Sequence, residues 1–293
     1  MNTNCRHAYL IIAYAQPRML QCLLTAIDDP RNDIYVHIDQ KAAFDGLDLK
    51  VQKSNLTILP HPIDARWGDV TLVEVELRLL ETALQHGTYA YLHLLSDSDF
   101  PIKSQDEIHE ECQKLAGTEF IGYAEVKDAE KEIRNKVQYY YFFTKRFREN
   151  TFLHRAYKYI YVRAQKYMGI RRSRHIDFKR GSQWCSITGD FAQYVISHRD
   201  EIRSTYHRTY CPDEIFIQTL CWSSPFRSHL YDTKDEFHGC KRYINWYGRD
   251  IHWFEEKDID KMKVSDRWFA RKFKEEDTDL VQRIGAQLCN LNE

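Results

Sequence analysis

The sequence predicts an α/β fold built on a largely parallel sheet, and three observations carry that expectation. Residues 8–15 form a continuous apolar run, 34–39 are β-branched with alternation, and 89–95 form a third candidate for a buried strand. Between the second and third runs, Val70, Val73, Leu77, Leu80 and Leu84 recur at helical spacing and mark an amphipathic helix. Strand-like and helix-like stretches that alternate in this way are the pattern of a nucleotide-binding half-sheet.

The chain has 293 residues, 43% of them hydrophobic, enough to bury a substantial core in one large domain or in two small ones that share a cleft. Lysine plus arginine (42) nearly balance aspartate plus glutamate (43), so no global field points to nucleic acid or to a polyanionic substrate. The first residues lack the basic start and cleavage site of a secretory signal, and no apolar stretch approaches the roughly 20 residues that span a bilayer. The expectation is a cytoplasmic protein, free or held peripherally on the inner face of the membrane. The eight cysteines are scattered, with no C-x-x-C, and read as free thiols; a metal cluster of Cys211, Cys221 and Cys240 is the less favoured alternative.

Further along, a helix is expected near 105–116, a strand at 119–126, a strand at 183–188, and helices from about Asp190, from Pro212 and after Asp277. The most biased segment is 145–180, with twelve lysines and arginines against two acidic residues, interleaved with Phe147, Phe152, Tyr157, Tyr159, Tyr161 and Tyr167. A solvated helix face is the bland reading of such a run. RNA, an anionic membrane surface or a phosphorylated acceptor are the functional ones, and overall neutrality disfavours nucleic acid.

No G-x-G-x-x-G follows the first strand and no Walker lysine motif occurs, so dinucleotide redox and P-loop chemistry lose their main support. Three groups could carry other chemistry. Cys211-Pro212-Asp213-Glu214 places two carboxylates in the first turn of a helix opened by Pro212; a dipole partner is the default there, yet the same dipole keeps a general base ionised. Asp97-Ser98-Asp99 has the D-x-D spacing that holds magnesium or manganese on a diphosphate, or it is a turn before Phe100-Pro101. Arg249 and the cluster Arg267, Arg271 and Lys272 could neutralise a diphosphate leaving group.

In order and spacing these segments resemble the core-2/I-branching enzyme family, glycosyltransferase family 14, which also contains peptide O-xylosyltransferases. The resemblance is nearest to the family's short bacterial members and runs from His7-Ala8-Tyr9-Leu10-Ile11-Ile12-Ala13 to Phe269-Ala270-Arg271-Lys272-Phe273. Between these lie Asp29-Pro30-Arg31-Asn32, Val36-His37-Ile38-Asp39, Trp67-Gly68, Leu94-Leu95-Ser96-Asp97-Ser98-Asp99-Phe100-Pro101-Ile102-Lys103, Gly181-Ser182-Gln183-Trp184, Cys211-Pro212-Asp213-Glu214 and Arg242-Tyr243-Ile244-Asn245-Trp246.

The resemblance implies a single GT-A type glycosyltransferase domain, a Rossmann-like mixed sheet flanked by helices. Residues 1–126 would bind the nucleotide sugar, 127–180 form a basic, aromatic helical insertion, and 181–293 supply the acceptor and catalytic half. It implies inverting transfer, most commonly of N-acetylglucosamine, from a UDP-sugar to a glycan hydroxyl without a required metal. Xylose, glucose, galactose and glucuronic acid remain open as donor sugars, and a catalytically inactive glycan-binding relative remains open as an alternative. Glu214 is then the general base. Ala13 and Asp39 lie by the donor's uridine, with Asp97 and Asp99 beside them, and Arg249, Arg271 and Lys272 by its phosphates. Trp184, Asp213, Trp246 and Arg134 make up the acceptor side. Asp97 departs from the family's usual glycine and keeps Mn2+ or Mg2+ open, and the basic segment suits a membrane that carries a lipid-linked acceptor.

Overall fold

The computed structural model describes residues 6–44, 48–124, 129–142, 144, 152–172, 175–247 and 250–289. Its main sheet has five strands in the order β3-β2-β1-β4-β6: β1 (His7–Ala13), β2 (Asn32–Ile38), β3 (Asn55–Ile58), β4 (Tyr91–Ser96) and β6 (Ser186–Thr188). The first four run parallel and β6 is antiparallel to β4. A second sheet sets β5 (Asp99–Pro101), β10 (Phe269–Arg271) and β7 (Arg242–Ile244) side by side, and β8 (Trp246–Tyr247) pairs with β9 (Asp250–Ile251).

The helices are α1 (Pro17–Ala26), α2 (Thr71–His86), α3 (Gln105–Lys114), α4 (Ala129–Val137), α5 (Phe152–Tyr167), α6 (Gly189–Ser197), α7 (Arg199–Tyr206), α8 (Phe216–Trp222), α9 (Glu236–Gly239), α10 (Ile259–Lys263) and α11 (Thr278–Leu288). Among the described residues, no helix is long and apolar enough to cross a membrane.

Strand periodicity explains why β1 reads as an unbroken apolar run. Ala8, Leu10 and Ile12 face one way and pack with Val73 and Leu77 of α2, Phe191 of α6 and Phe216 of α8. Tyr9, Ile11 and Ala13 face the other way, against Leu20 and Leu23 of α1 and Ile108 of α3. Both faces are covered, so neither can be polar. A third cluster, including Met19, Phe100, Phe254, Met262, Phe273 and Ile284, lies under the small sheet.

Several expected elements change. The strand expected at 119–126 reduces to bridges at Glu119 and Phe120, and residues 125–128 lie outside the described set. The strand expected at 183–188 begins only at Ser186. Pro212 does not open an α-helix: Pro212–Glu214 form a 3-10 turn, and Ile215 (φ −133°, ψ −40°) breaks the chain before α8 begins at Phe216. The two carboxylates are therefore not in the first turn of a long helix, and the helix dipole is not what holds Glu214 charged.

Candidate active site

β1 leads to β2 on one side of the sheet while β4 lies on its other side, which creates a switch in strand order where ligands bind open α/β sheets, beyond the carboxyl ends of the strands. The register brings Ala13 level with Ile38, and Ile12 level with Ser96. Asp39 follows β2 and donates its N–H to the Ala13 carbonyl (2.8 Å). Its carboxylate accepts from the Ala65 N–H (3.0 Å) and meets the Lys41 ammonium (2.6 Å).

Asp97 follows β4 and is buried, 3% exposed. One oxygen, Oδ2, accepts the backbone N–H groups of Tyr14 (2.7 Å), Ala15 (2.8 Å) and Gln16 (3.0 Å), which join β1 to α1. Burial raises its pKa above the ordinary aspartate value, and these three donors oppose that shift. Asp99 turns Oδ2 back to the Ser96 N–H (2.6 Å) and hydroxyl (3.2 Å), while its Oδ1 lies 3.5 Å from Arg271 Nε. The D-x-D pair thus ties the β1–α1 connection, the end of β4 and the end of β10 together.

The small sheet pairs Arg271 with Asp99 and Ile244 across its strands. The Arg271 guanidinium lies 3.9 Å from the centre of the Trp184 ring, and its Nε and Nη1 are buried without a hydrogen-bond acceptor. Lys272, the next residue, sits over the Trp253 ring (4.2 Å). Arg249 lies outside the described residues.

The second acidic pair is reached through a strained turn. Gly68 (φ +76°) accepts the Cys211 N–H on its carbonyl (3.0 Å), and Cys211 itself adopts a left-handed conformation (φ 49°). A Cβ at Gly68 would stand 3.0 Å from the Tyr210 ring, so glycine suits this position on two counts. The turn presents Glu214, whose Oε2 meets Lys136 Nζ at 3.0 Å and Arg180 Nε at 3.1 Å. Burial works to raise the Glu214 carboxyl, but the charges of Lys136 and Arg180 outweigh it and hold the group below the ordinary glutamate range. Its side chain remains 27% exposed and reachable.

Around this ionised group lie carboxyls pushed the other way. Asp213 is buried, with Oδ1 lacking a partner, and burial together with the Glu214 charge raises it to about 7. Burial and then the charge of Asp213 push Glu76 of α2 well above the usual range, while Gln183 donates to its Oε1 (2.8 Å). Glu236 rises to about 7 through burial, despite Arg180 nearby. One carboxylate stays charged beside groups that hold protons near neutral pH, the division of labour that proton-transfer sites need.

The segment 181–184 links the two acidic pairs. Gly181 donates to the Glu214 carbonyl (2.9 Å) and passes so close to Gly122 that a Cβ would stand 1.8 Å from its carbonyl oxygen. Three residues on, Trp184 supports Arg271. Trp246, 45% exposed, stacks on Phe237, the neighbour of Glu236. Arg134 is exposed on α4, two residues before Lys136.

Lys136, Arg180, Glu76 and Glu236 were not singled out from the sequence. Lys136 and Arg180 fall in the expected basic insertion, and the only available signal was that a catalytic carboxylate needs cations that its own neighbourhood lacks. Among the described residues, the one convergence of three metal-type donors is His7, His93 and Cys112, not the three cysteines considered above. It borders a cavity of about 520 Å³ at the opposite edge of the sheet, where β1 and β4 begin.

Comparison with known proteins agrees with this architecture. The family model "Core-2/I-Branching enzyme" matches residues 7–278. Xylosyltransferase 2 of Canis lupus familiaris is 23% identical over 290 residues, covering 92% of this chain and 32% of that protein. The Rattus norvegicus protein of the same name is 22% identical with the same coverage. Xylosyltransferase oxt of Drosophila melanogaster is 23% identical, with 87% of this chain and 30% of the relative covered. The chain thus spans about a third of the length of these relatives. A crystal structure of mouse xyloside xylosyltransferase 1, apo form, gives a TM-score of 0.32 at 10% identity over 73% of this chain and 81% of that one, too slight a likeness to argue from.

Proposed function

Because the chain belongs to the Core-2/I-Branching enzyme family, a glycosyltransferase assignment, we propose that it transfers a sugar from a UDP-sugar to a glycan hydroxyl by a single inverting displacement with Glu214 as base. The observation that carries this reading is a partly exposed Glu214 held ionised by Lys136 and Arg180. Glu214 Oε1 takes the acceptor hydroxyl's proton as that oxygen bonds to the anomeric carbon, and the bond from that carbon to the diphosphate oxygen breaks on the opposite face. UDP leaves with the electron pair. A positioned base contributes about 100 to 10,000-fold.

The donor belongs over the carboxyl ends of β1, β2 and β4, in the half 1–126, with Ala13 and Asp39 by the uridine. Arg271, with two donors that lack a hydrogen-bond acceptor and a rigid aromatic support, and Lys272 are suited to the diphosphate, together with Arg249. Trp184, Asp213, Trp246 and Arg134 belong to the acceptor side, in which Asp213 accepts a hydrogen bond from the sugar once it has ionised. The reaction needs no metal in this proposal: Asp97 Oδ2 is taken by three backbone N–H groups and Asp99 is turned to Ser96 and Arg271, which supports the metal-free reading over a Mn2+ or Mg2+ bridge.

Of the donors, UDP-xylose comes before the expected UDP-N-acetylglucosamine, because the relatives are named xylosyltransferases. The acceptor is proposed to be lipid-linked, and the chain a short bacterial-type member working on the cytoplasmic side. The test is turnover of UDP-xylose and UDP-N-acetylglucosamine with glycan acceptors, in excess EDTA and with added manganese. UDP release from UDP-xylose that survives EDTA is expected. Release from neither donor would overturn the reading, and release only with manganese would return Asp97 and Asp99 to the chemistry.

A further inference from the structure

α5 and the turn after it are covered on one side and bare on the other. At about 100° per residue, Phe152, Tyr159, Ile160, Arg163 and Tyr167 fall within an arc of about 100°. The four apolar and aromatic members are each more than half exposed, Tyr167 reaching 94%, and Met168 just past the helix end is exposed as well. Large side chains are rarely left in water as a contiguous stripe without a use. Gln165 lies across the helix from this arc and is buried.

The other side of α5 is fastened to residues 139–142. The Gln165 amide accepts the Tyr140 N–H (2.9 Å) and donates to the Tyr140 carbonyl (3.0 Å). Tyr161 meets Phe142 edge-on (5.4 Å), and Lys166 lies over the Tyr139 ring (5.5 Å). The anchoring segment, 139–142, directly follows α4, which supplies Lys136 to Glu214.

Charge identifies the occupant. Residues 152–176 contain seven lysines and arginines and no aspartate or glutamate, in a chain whose total charge is −1. Arg163 stands inside the apolar arc with its guanidinium against the Tyr159 hydroxyl (2.7 Å), and Arg171 is exposed just beyond the helix. An apolar stripe in a segment whose charged residues are all cations suits the boundary between headgroups and acyl chains of an anionic bilayer. A protein partner would more often meet such a stripe with some acidic complement of its own.

We propose that this face of α5 docks the protein on an anionic lipid surface, with Phe152, Tyr159, Ile160 and Tyr167 entering the interface and Arg163 and Arg171 meeting the headgroups. Docking through α5 fixes the orientation of the 139–142 segment and hence of Lys136 and Glu214 toward the membrane, which deepens the lipid-linked acceptor proposed above. The binding itself does not depend on that reading, since it requires no UDP-sugar.

The experiment is co-sedimentation of the full chain, without substrates, on vesicles of phosphatidylcholine alone and of phosphatidylcholine mixed with phosphatidylglycerol. Partitioning at least about tenfold stronger onto the anionic vesicles is expected, weakening as salt is raised. An Ile160→Ser, Tyr167→Ser variant should lose about tenfold or more, and Arg163→Glu at least about fivefold, with melting and UDP binding unchanged because these side chains face water. No partitioning, or equal partitioning onto both vesicles, overturns the proposal. So does a dimer that the double variant dissolves while neither protein binds vesicles, which would assign the face to a second copy of the chain. UDP-sugar turnover is read separately, so failure of either result leaves the other standing.

Discussion

Two acidic pairs, Asp97 with Asp99 and Asp213 with Glu214, have nearly the same composition and opposite environments. The first pair is spent on its own fold. Asp97 collects the N–H groups of Tyr14, Ala15 and Gln16 on one oxygen, and Asp99 folds back on Ser96 beside Arg271. In the second pair, Glu214 faces two cations from distant segments and stays ionised, while Asp213, without a partner on Oδ1, holds its proton to about 7. Backbone donors fix a carboxylate in place and satisfy it. Side-chain cations fix its charge.

The largest expected effect separates the pairs by turnover. Glu214→Gln should lower kcat by about 100 to 10,000-fold while UDP affinity, read by calorimetry, stays within about twofold. Asp97→Asn should keep most of the activity, and a loss from it equal to that of Glu214→Gln would erase the distinction. In stability the order reverses. Asp97→Ala leaves three part-buried N–H groups without their acceptor and should cost about 2 kcal/mol in urea unfolding, whereas Glu214→Gln costs about 1 kcal/mol, since a neutral amide can still accept from Lys136 and Arg180.

The smallest effect concerns Asp213. Its folded pKa, about 7, lies above the unfolded value of about 3.9, so between those limits the folded state holds the extra proton. Its contribution to stability is therefore fully present below the unfolded pKa and is lost as pH rises through the folded one. Asp213→Asn should flatten the fall in melting temperature between about pH 4 and 7, measured by calorimetry. An unchanged slope would assign the fall to Glu76, Glu119 and Glu236, whose carboxyls burial also raises.

The same contrast explains what was legible in the sequence. β1, β2 and β4 are buried on both faces or nearly so, and strands in that position are rich in apolar residues, so composition reveals them although buried Asn32, Asp33, His37 and His93 interrupt the runs. β3 is an edge strand with a mixed pattern, and β5, β7 and β10 are three residues each and exist only because distant segments meet. No local period encodes them. Glu214 stood out only through resemblance to a family, because a carboxylate near a proline is ordinarily a cap. Arg180 was hidden at the end of a run of cations whose commonest use is solvation, and Lys136 in a stretch of mixed charge on α4; only the folded chain brings these two to Glu214. The helix dipole expected to serve Glu214 proved to be the wrong agent, since Ile215 interrupts the helix before it reaches the carboxylates.

In the proposed transfer Glu214 acts as an ionised base, and its neighbouring cations keep it ionised. The pH dependence of kcat/KM for wild type and Lys136→Met tests it most directly. The wild-type acid limb should fall below the ordinary glutamate pKa of about 4.3. Removing Lys136 leaves burial opposed by Arg180 alone, so the limb should move to higher pH in the variant. A limb in the same place for both proteins would contradict the claim.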